Sequence, residues 1–175
     1  MSLRKMIFSF ILLLLMTSSK LVAQASHTGQ YLGFGYNLAT SVHKTNNQTS
    51  LGLVYENRFT NSLGIETGLY TRNFYYSLYK NRHIEIPVLL KFYSNAVNLS
   101  VGVSGGFFAG SESYYDNVDI ADNNKYNVSV IAKAGHDFYL SESLIIEPEV
   151  VVIPFTHIDN KEVSVGLGVK LKYFF

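Results

Sequence analysis

The chain has no cysteine and no tryptophan, and only three prolines in 175 residues. Without cysteine there is neither a disulfide framework nor a thiolate metal site. A chain of this kind in an oxidising compartment must draw its stability from packing or from a closed sheet. Charge is sparse and balanced, with 14 Lys and Arg against 13 Asp and Glu, a formal net charge of +1. That balance removes the electrostatic case for a nucleic-acid partner. The longest apolar run, residues 6–16, falls well short of the ~20 residues that a spanning helix needs.

That run has a different meaning. Arg4 and Lys5 precede it, and the small residues Ala23 and Ala25 follow it with one residue between them. A basic start, a short apolar core and a small-x-small site describe a secretory signal peptide. We expect residues 1–25 to be removed and residues 26–175 to form a single domain.

What the sequence has in quantity is 13 Tyr, 12 Phe and 13 Gly. Beyond the leader the apolar residues alternate with period two, and a helical period does not recur. Eight such segments run 30–40, 49–59, 63–73, 83–93, 97–110, 126–139, 144–155 and 162–175. Each is near the 9–11 residues that a tilted strand needs to cross a bilayer. Short turns at 60–62, 94–96 and 140–143 alternate with longer polar connections at 41–48, 74–82, 111–125 and 156–161. Short turns on one side and long loops on the other are the outer-membrane pattern, with the turns in the periplasm. The expected fold is an all-β, eight-stranded antiparallel up-and-down transmembrane β-barrel, its last strand closing against its first.

Alternation alone leaves open which face points inward, and a soluble ligand-binding barrel would hide the apolar one. The sorting of charge and glycine helps to decide. Acidic Glu56, Glu66, Glu85, Asp137, Glu147 and Glu149 and basic Arg58, Arg72, Lys91, Lys133, Lys170 and Lys172 all fall on the faces opposite the apolar residues. Six strands carry two charges each, and in every strand the two share a face. Independent placement would give that agreement about 1 time in 60. Most glycines share the polar face too: Gly33, Gly35, Gly52, Gly64, Gly68, Gly102, Gly106, Gly110, Gly135, Gly166 and Gly168. A solvated surface has no need of them, whereas a narrow interior crowded with long side chains does. The charged face is therefore expected inside and the apolar face in lipid. Phe59, Phe92, Phe138, Tyr173 and Phe175 would form the periplasmic aromatic girdle.

In "HIEIPVLLKFYSN" the residues Glu85, Ile86, Pro87, Leu89, Leu90, Lys91 and Phe92 resemble the signature strand of the small outer-membrane β-barrel family called PorT-like. The end of the chain, with Leu167, Leu171, Tyr173 and Phe175, resembles the C-terminal signal read by the barrel-assembly machinery. The resemblance implies the same small barrel, outer-membrane lipid around it and that machinery as a partner in biogenesis. It implies no particular activity. Pro87, Pro148 and Pro154 each lie inside a strand, so each should mark a bulge or a gap in the ladder.

Candidate chemistry is thin. Ten of the twelve charges, all but Arg72 and Glu85, map to the periplasmic half of the interior. There they read as a salt-bridge plug, with an ion or proton path as the alternative. Glu147 and Glu149 share a face and imitate an acid/base pair, but the nearby lysines favour neutralisation. His43, His83 and His157 near the outer rim have no metal-ligand spacing. His136 is expected on the lipid side at the periplasmic end, the wrong end for an enzyme acting on outer-leaflet lipid. The loop at 111–125 carries Glu112, Asp116, Asp119 and Asp122, without the spacing of a calcium loop. Its Tyr114 and Tyr115, with Asp116, Asp119 and Asp122, form a possible surface-recognition loop toward an unknown extracellular partner. No cofactor, metal or enzymatic activity is expected.

Overall fold

A computed structural model describes residues 28–42, 46–94, 96–114, 125–156 and 163–175, the side chains of residues 155 and 156 excepted. The expected signal peptide lies outside the described residues, as do His43, Tyr115, Asp116, Asp119, Asp122 and His157.

Nine segments form eight staves: β1 (Gly29–Ser41), β2 (Asn47–Arg58), β3 (Leu63–Tyr75), β4 (Tyr79–Phe92), β5 (Asn98–Ser113), β6 (Tyr126–Gly135), β7 (Phe138–Tyr139), β8 (Leu144–Thr156) and β9 (Ser164–Phe174). β6 and β7 are two parts of one stave, both paired to β8. Every neighbouring pair is antiparallel, β1 pairs with β9, and the β6–β8 pairing closes the ring. Closure leaves no open edge. The barrel is eight-stranded, antiparallel and up-and-down.

All three prolines sit at irregularities. The β3–β4 ladder is interrupted opposite Pro87, whose carbonyl instead accepts a bond from the Thr67 hydroxyl at 2.8 Å. Pro148 lies at the gap between β6 and β7, where the His136 N–H donates to its carbonyl at 3.2 Å. Pro154 adjoins the register shift between Val130 and Ala132. A proline has no ladder donor, so pairing stops or slips where it enters a central strand.

Two expectations about strand length and facing are corrected at the outer end. The connection at 74–82 is not a long loop: β3 and β4 continue to a turn at residues 76–78. Cross-strand aromatic pairs carry the hairpin outward, Phe74 edge-on to His83 and Tyr76 stacked on Tyr79 with ring centroids 4.7 Å apart. Gly110 is not on the interior face. A register shift in β4–β5 pairs His83 with Phe108 but Arg82 with Gly110, so one residue of β5 is extra and the faces beyond it exchange. Gly110 has φ +148°, a conformation that suits glycine.

Candidate functional site

The alternation resolves as an inverted barrel. Leu32, Phe34 and Leu38 on β1, Leu51 and Leu53 on β2, Ile86, Val88 and Leu90 on β4 and Leu99, Val101 and Val103 on β5 are exposed. All twelve charged residues singled out from the sequence are buried, none more than 7% accessible. An apolar exterior this continuous is far larger than a soluble monomer tolerates.

Ten of the twelve gather toward the end of the barrel that carries the short turns. Lys172 Nζ lies 3.0 Å from Glu56, 2.9 Å from Asp137 and 2.9 Å from Glu147. Lys91 Nζ is 2.8 Å from Glu56, 2.7 Å from Glu147 and 3.6 Å from Glu66. Lys170 meets Glu66 at 2.6 Å, Glu149 at 2.7 Å and Glu147 at 3.5 Å. Lys133 completes the group at 3.0 Å from Glu66 and 3.3 Å from Glu149. Each ammonium is thus held by two or three carboxylates contributed by at least two segments of the chain. Arg58 lies over the Tyr93 ring, 3.9 Å from its centroid, and donates to the Asn61 carbonyl at 2.9 Å. Burial of this many ions is tolerable only when they are paired, and every lysine and carboxylate of the group has an opposite charge within 3.3 Å.

Arg72 and Glu85 stand apart, nearer the other end. They pair at 3.2 Å, and Glu85 also accepts from Asn127 at 2.7 Å and Ser104 at 3.3 Å. Glu56, Glu66 and Glu147 place carboxylate oxygens within 4.8 Å of one another, a spacing a metal ion could use. The Lys91 ammonium already stands among them, so this donor set is occupied by the protein's own cation.

Sequence reasoning overlooked three parts of the interior. Leu89, Ile131, Val151 and Ile153 form a buried apolar cluster above the charged group, on strand positions whose parity alone assigned them inward. Tyr93 donates to Glu56 at 2.8 Å. Tyr70 fills the middle of the lumen, and a Cβ on Gly35 would come 2.7 Å from its hydroxyl, one on Gly52 2.8 Å from its Cγ. Glycine on the inner face makes room for this ring. Beside it a small cavity of about 20 Å³ is lined by Asn37, Gln48, Arg72, Ser104 and others. That is about the space one water needs.

His136 is not on the lipid side. The break between β6 and β7 leaves Gly135, His136 and Asp137 all buried, and His136 Nδ1 lies 2.7 Å from the Ala96 carbonyl with its ring edge-on to Phe138. His83 is also inside, between the rings of Phe74 and Phe108. Leu171, Tyr173 and Phe175 are exposed on the outer wall and Leu167 is half-buried there. Tyr114 is exposed, its N–H donating to the Leu78 carbonyl at 3.0 Å. Glu112 pairs with Lys80 at 2.7 Å and Arg82 at 2.8 Å.

No family model and no curated protein matches the chain. Its fold is similar to that of the outer membrane protein OprG from Pseudomonas aeruginosa, with TM-score 0.55 and 12% identity over 86% of this chain and 99% of that one. It is also similar to the outer membrane protein AlkL in DMPC lipid bilayers, with TM-score 0.54 and 12% identity over 89% of this chain and 94% of that one. Neisserial surface protein A gives TM-score 0.51 and 12% identity over 83% and 96% of the two chains. At such identities the likeness concerns the fold: this chain forms the same kind of small, closed, eight-stranded β-barrel.

Proposed function

We propose that the chain is an integral outer-membrane barrel with a plugged interior, serving a structural or surface-interaction role through the connections at its outer rim. The observation that carries this reading is the inversion of its faces, twelve buried charges within a wall of exposed aliphatic side chains. Only a lipid surround makes that arrangement favourable. The lineage we propose is PorT-like, on the Glu85–Lys91 stretch of β4. Residues 1–25 act as the export signal, and Leu167, Leu171, Tyr173 and Phe175 are what the barrel-assembly machinery reads. The partner is extracellular, met by the aromatic hairpin around Tyr76 and Tyr79 and by the loop that starts at Tyr114. We assign no enzymatic activity, because the lumenal carboxylates are tied to lysines rather than poised beside a substrate cleft.

A narrow or gated pore is the second reading, favoured by the charged lumen itself. Against it stands the bracing of each lysine by carboxylates from several staves, which leaves little freedom to part. Two measurements test these readings. An unboiled sample from outer-membrane fractions should migrate differently from a boiled one on a detergent gel; a soluble, non-shifting protein refutes the membrane reading. In planar bilayers the purified barrel should show no steady single-channel steps, and regular steps would favour the pore.

A further inference from the structure

The outer wall is not uniformly apolar. One rung of the sheet runs Leu167, Leu38, Thr49, Asn73, Arg82 across β9, β1, β2, β3 and β4. Its first two members are aliphatic; the rest are a hydroxyl, an amide and a guanidinium. In the next rung outward only Val165 is aliphatic, followed by Thr40, Asn47, Tyr75 and Lys80. A groove of about 720 Å³ straddles the boundary, lined by Leu38, Val165 and Leu167 on the aliphatic side and by Asn47, Thr49 and Tyr75 on the polar side.

The polar half is organised. Asn73 donates to the Thr49 hydroxyl at 3.4 Å, and that hydroxyl lies 3.3 Å from the Tyr75 hydroxyl. Asn73 Oδ1 is covered yet has no hydrogen-bond partner among the described residues. Lys80 and Arg82 share the single carboxylate of Glu112, which the β5 register shift turns to this face, so the corner keeps one positive charge in excess. Polar groups on a lipid-facing wall are costly without partners, and hydroxyls beside an unbalanced cation call for hydrogen-bonding groups and an anion together.

We propose that this groove holds an outer-leaflet phosphorylated glycolipid. Its acyl chain lies on Leu38, Val165 and Leu167, its sugar hydroxyls meet Thr49, Asn73 and Tyr75, and its phosphate meets Arg82 and Lys80. Charge complementarity and hydroxyl content favour this occupant over a simple phospholipid. The glycolipid offers phosphate together with a rigid array of sugar hydroxyls for Thr49 and Tyr75, whereas phosphatidylglycerol offers one phosphate and the two hydroxyls of a flexible glycerol. The proposal rests on the outer-membrane orientation given above, with the 76–78 turn on the outside.

The test is native mass spectrometry of the barrel released from phosphatidylcholine nanodiscs containing either lipid A or phosphatidylglycerol. The wild-type barrel should keep lipid A adducts in preference to phosphatidylglycerol. Thr49→Val with Asn73→Leu, which removes neutral hydrogen bonds to the sugar, and separately Arg82→Gln, which removes one charge-assisted bond to the phosphate, should each cut lipid A retention about tenfold. Equal retention of the two lipids, or retention unchanged in both variants, overturns the proposal. The gel shift of each sample keeps the two levels of argument apart. A wild-type barrel that shifts on boiling but shows no lipid preference refutes this site alone, whereas a wild-type protein that shows no shift refutes the barrel reading beneath it. Arg82 is nearly half exposed, so its variant carries the test even if the paired substitution fails to fold.

Discussion

Replacing Lys91 by methionine keeps an unbranched side chain, one atom shorter, and removes one charge from the centre of the buried network. At an effective dielectric near 20, each contact of 2.7–2.8 Å made by Lys91 corresponds to about 6 kcal/mol of attraction before desolvation. The carboxylates of Glu56, Glu66 and Glu147, with oxygens within 4.8 Å, repel one another by about 3 kcal/mol per pair on the same scale. Desolvation of the ammonium offsets much of the attraction, so the expected net loss is that of a broken buried pair, about 3–5 kcal/mol. Urea titration of the folded, heat-modifiable band in detergent micelles reads this as a fall in the midpoint. Adding Glu147→Gln to the variant should recover part of the loss, since Glu56, Glu66 and Glu147 keep their other lysines and only one carboxylate is left in excess. A Lys91→Met barrel within about 1 kcal/mol of wild type would show that water screens the network and would refute the idea of a dry plug.

Other positions give sharper contrasts. Gly52→Ala should cost about 1–3 kcal/mol in the same titration, because its Cβ would sit 2.6 Å from the Tyr70 Cα with no space to move. Gly105→Ala on the outer face meets nothing within 4 Å and should stabilise by about 0.4–1 kcal/mol through the unfolded chain. Thr67→Val removes the 2.8 Å donor to the Pro87 carbonyl and should cost about 1–3 kcal/mol, the penalty of an unpaired acceptor. Loss of Phe175 should reduce the fraction of protein recovered in heat-modifiable form from cells, while leaving refolding in detergent unchanged, if this residue acts in assembly recognition.

The stave count and the inward parity of the charges were legible because a period of two leaves each side chain only two directions. Lys170 and Lys172 could only share a face, and the acidic residues had to share it with them. What alternation could not supply was any event that breaks it. The extra residue in β5 reverses Gly110 and Glu112, and nothing in "FFAGSES" announces it except a glycine of the kind found throughout the sheet. The gap at His136 and Asp137 hides a histidine that strict alternation sends outward. Pro148, across from that gap, was the available signal, since a strand that cannot donate forces irregularity on its neighbour. The hairpin extension through Tyr75 and Tyr79 was missed for another reason. Polar residues such as Asn81 and Lys80 read as loop, whereas aromatic cross-strand pairing holds them in the ladder.

The same alternation bears on why the interior is charged at all, when well-packed apolar residues are often no worse than buried ion pairs. An inner face as apolar as the outer one would turn each strand into a continuous apolar run. A chain of such runs would aggregate before it reached its membrane, because unpaired strands with two apolar faces bury themselves in one another. A charge or a polar group on nearly every second residue keeps each segment mixed in character until its neighbours arrive. β8 illustrates the compromise: Glu147 and Glu149 sit on the inner face at one end, Val151 and Ile153 at the other. The four lysines of the network come from β4, β6 and β9, and their carboxylates from β2, β3, β8 and the β6–β7 break. The ions therefore reach full pairing only when staves far apart in sequence have met. On this argument the network selects the closed register as much as it stabilises it, because a strand shifted by two residues would carry at least one of its charges out of reach of its partners.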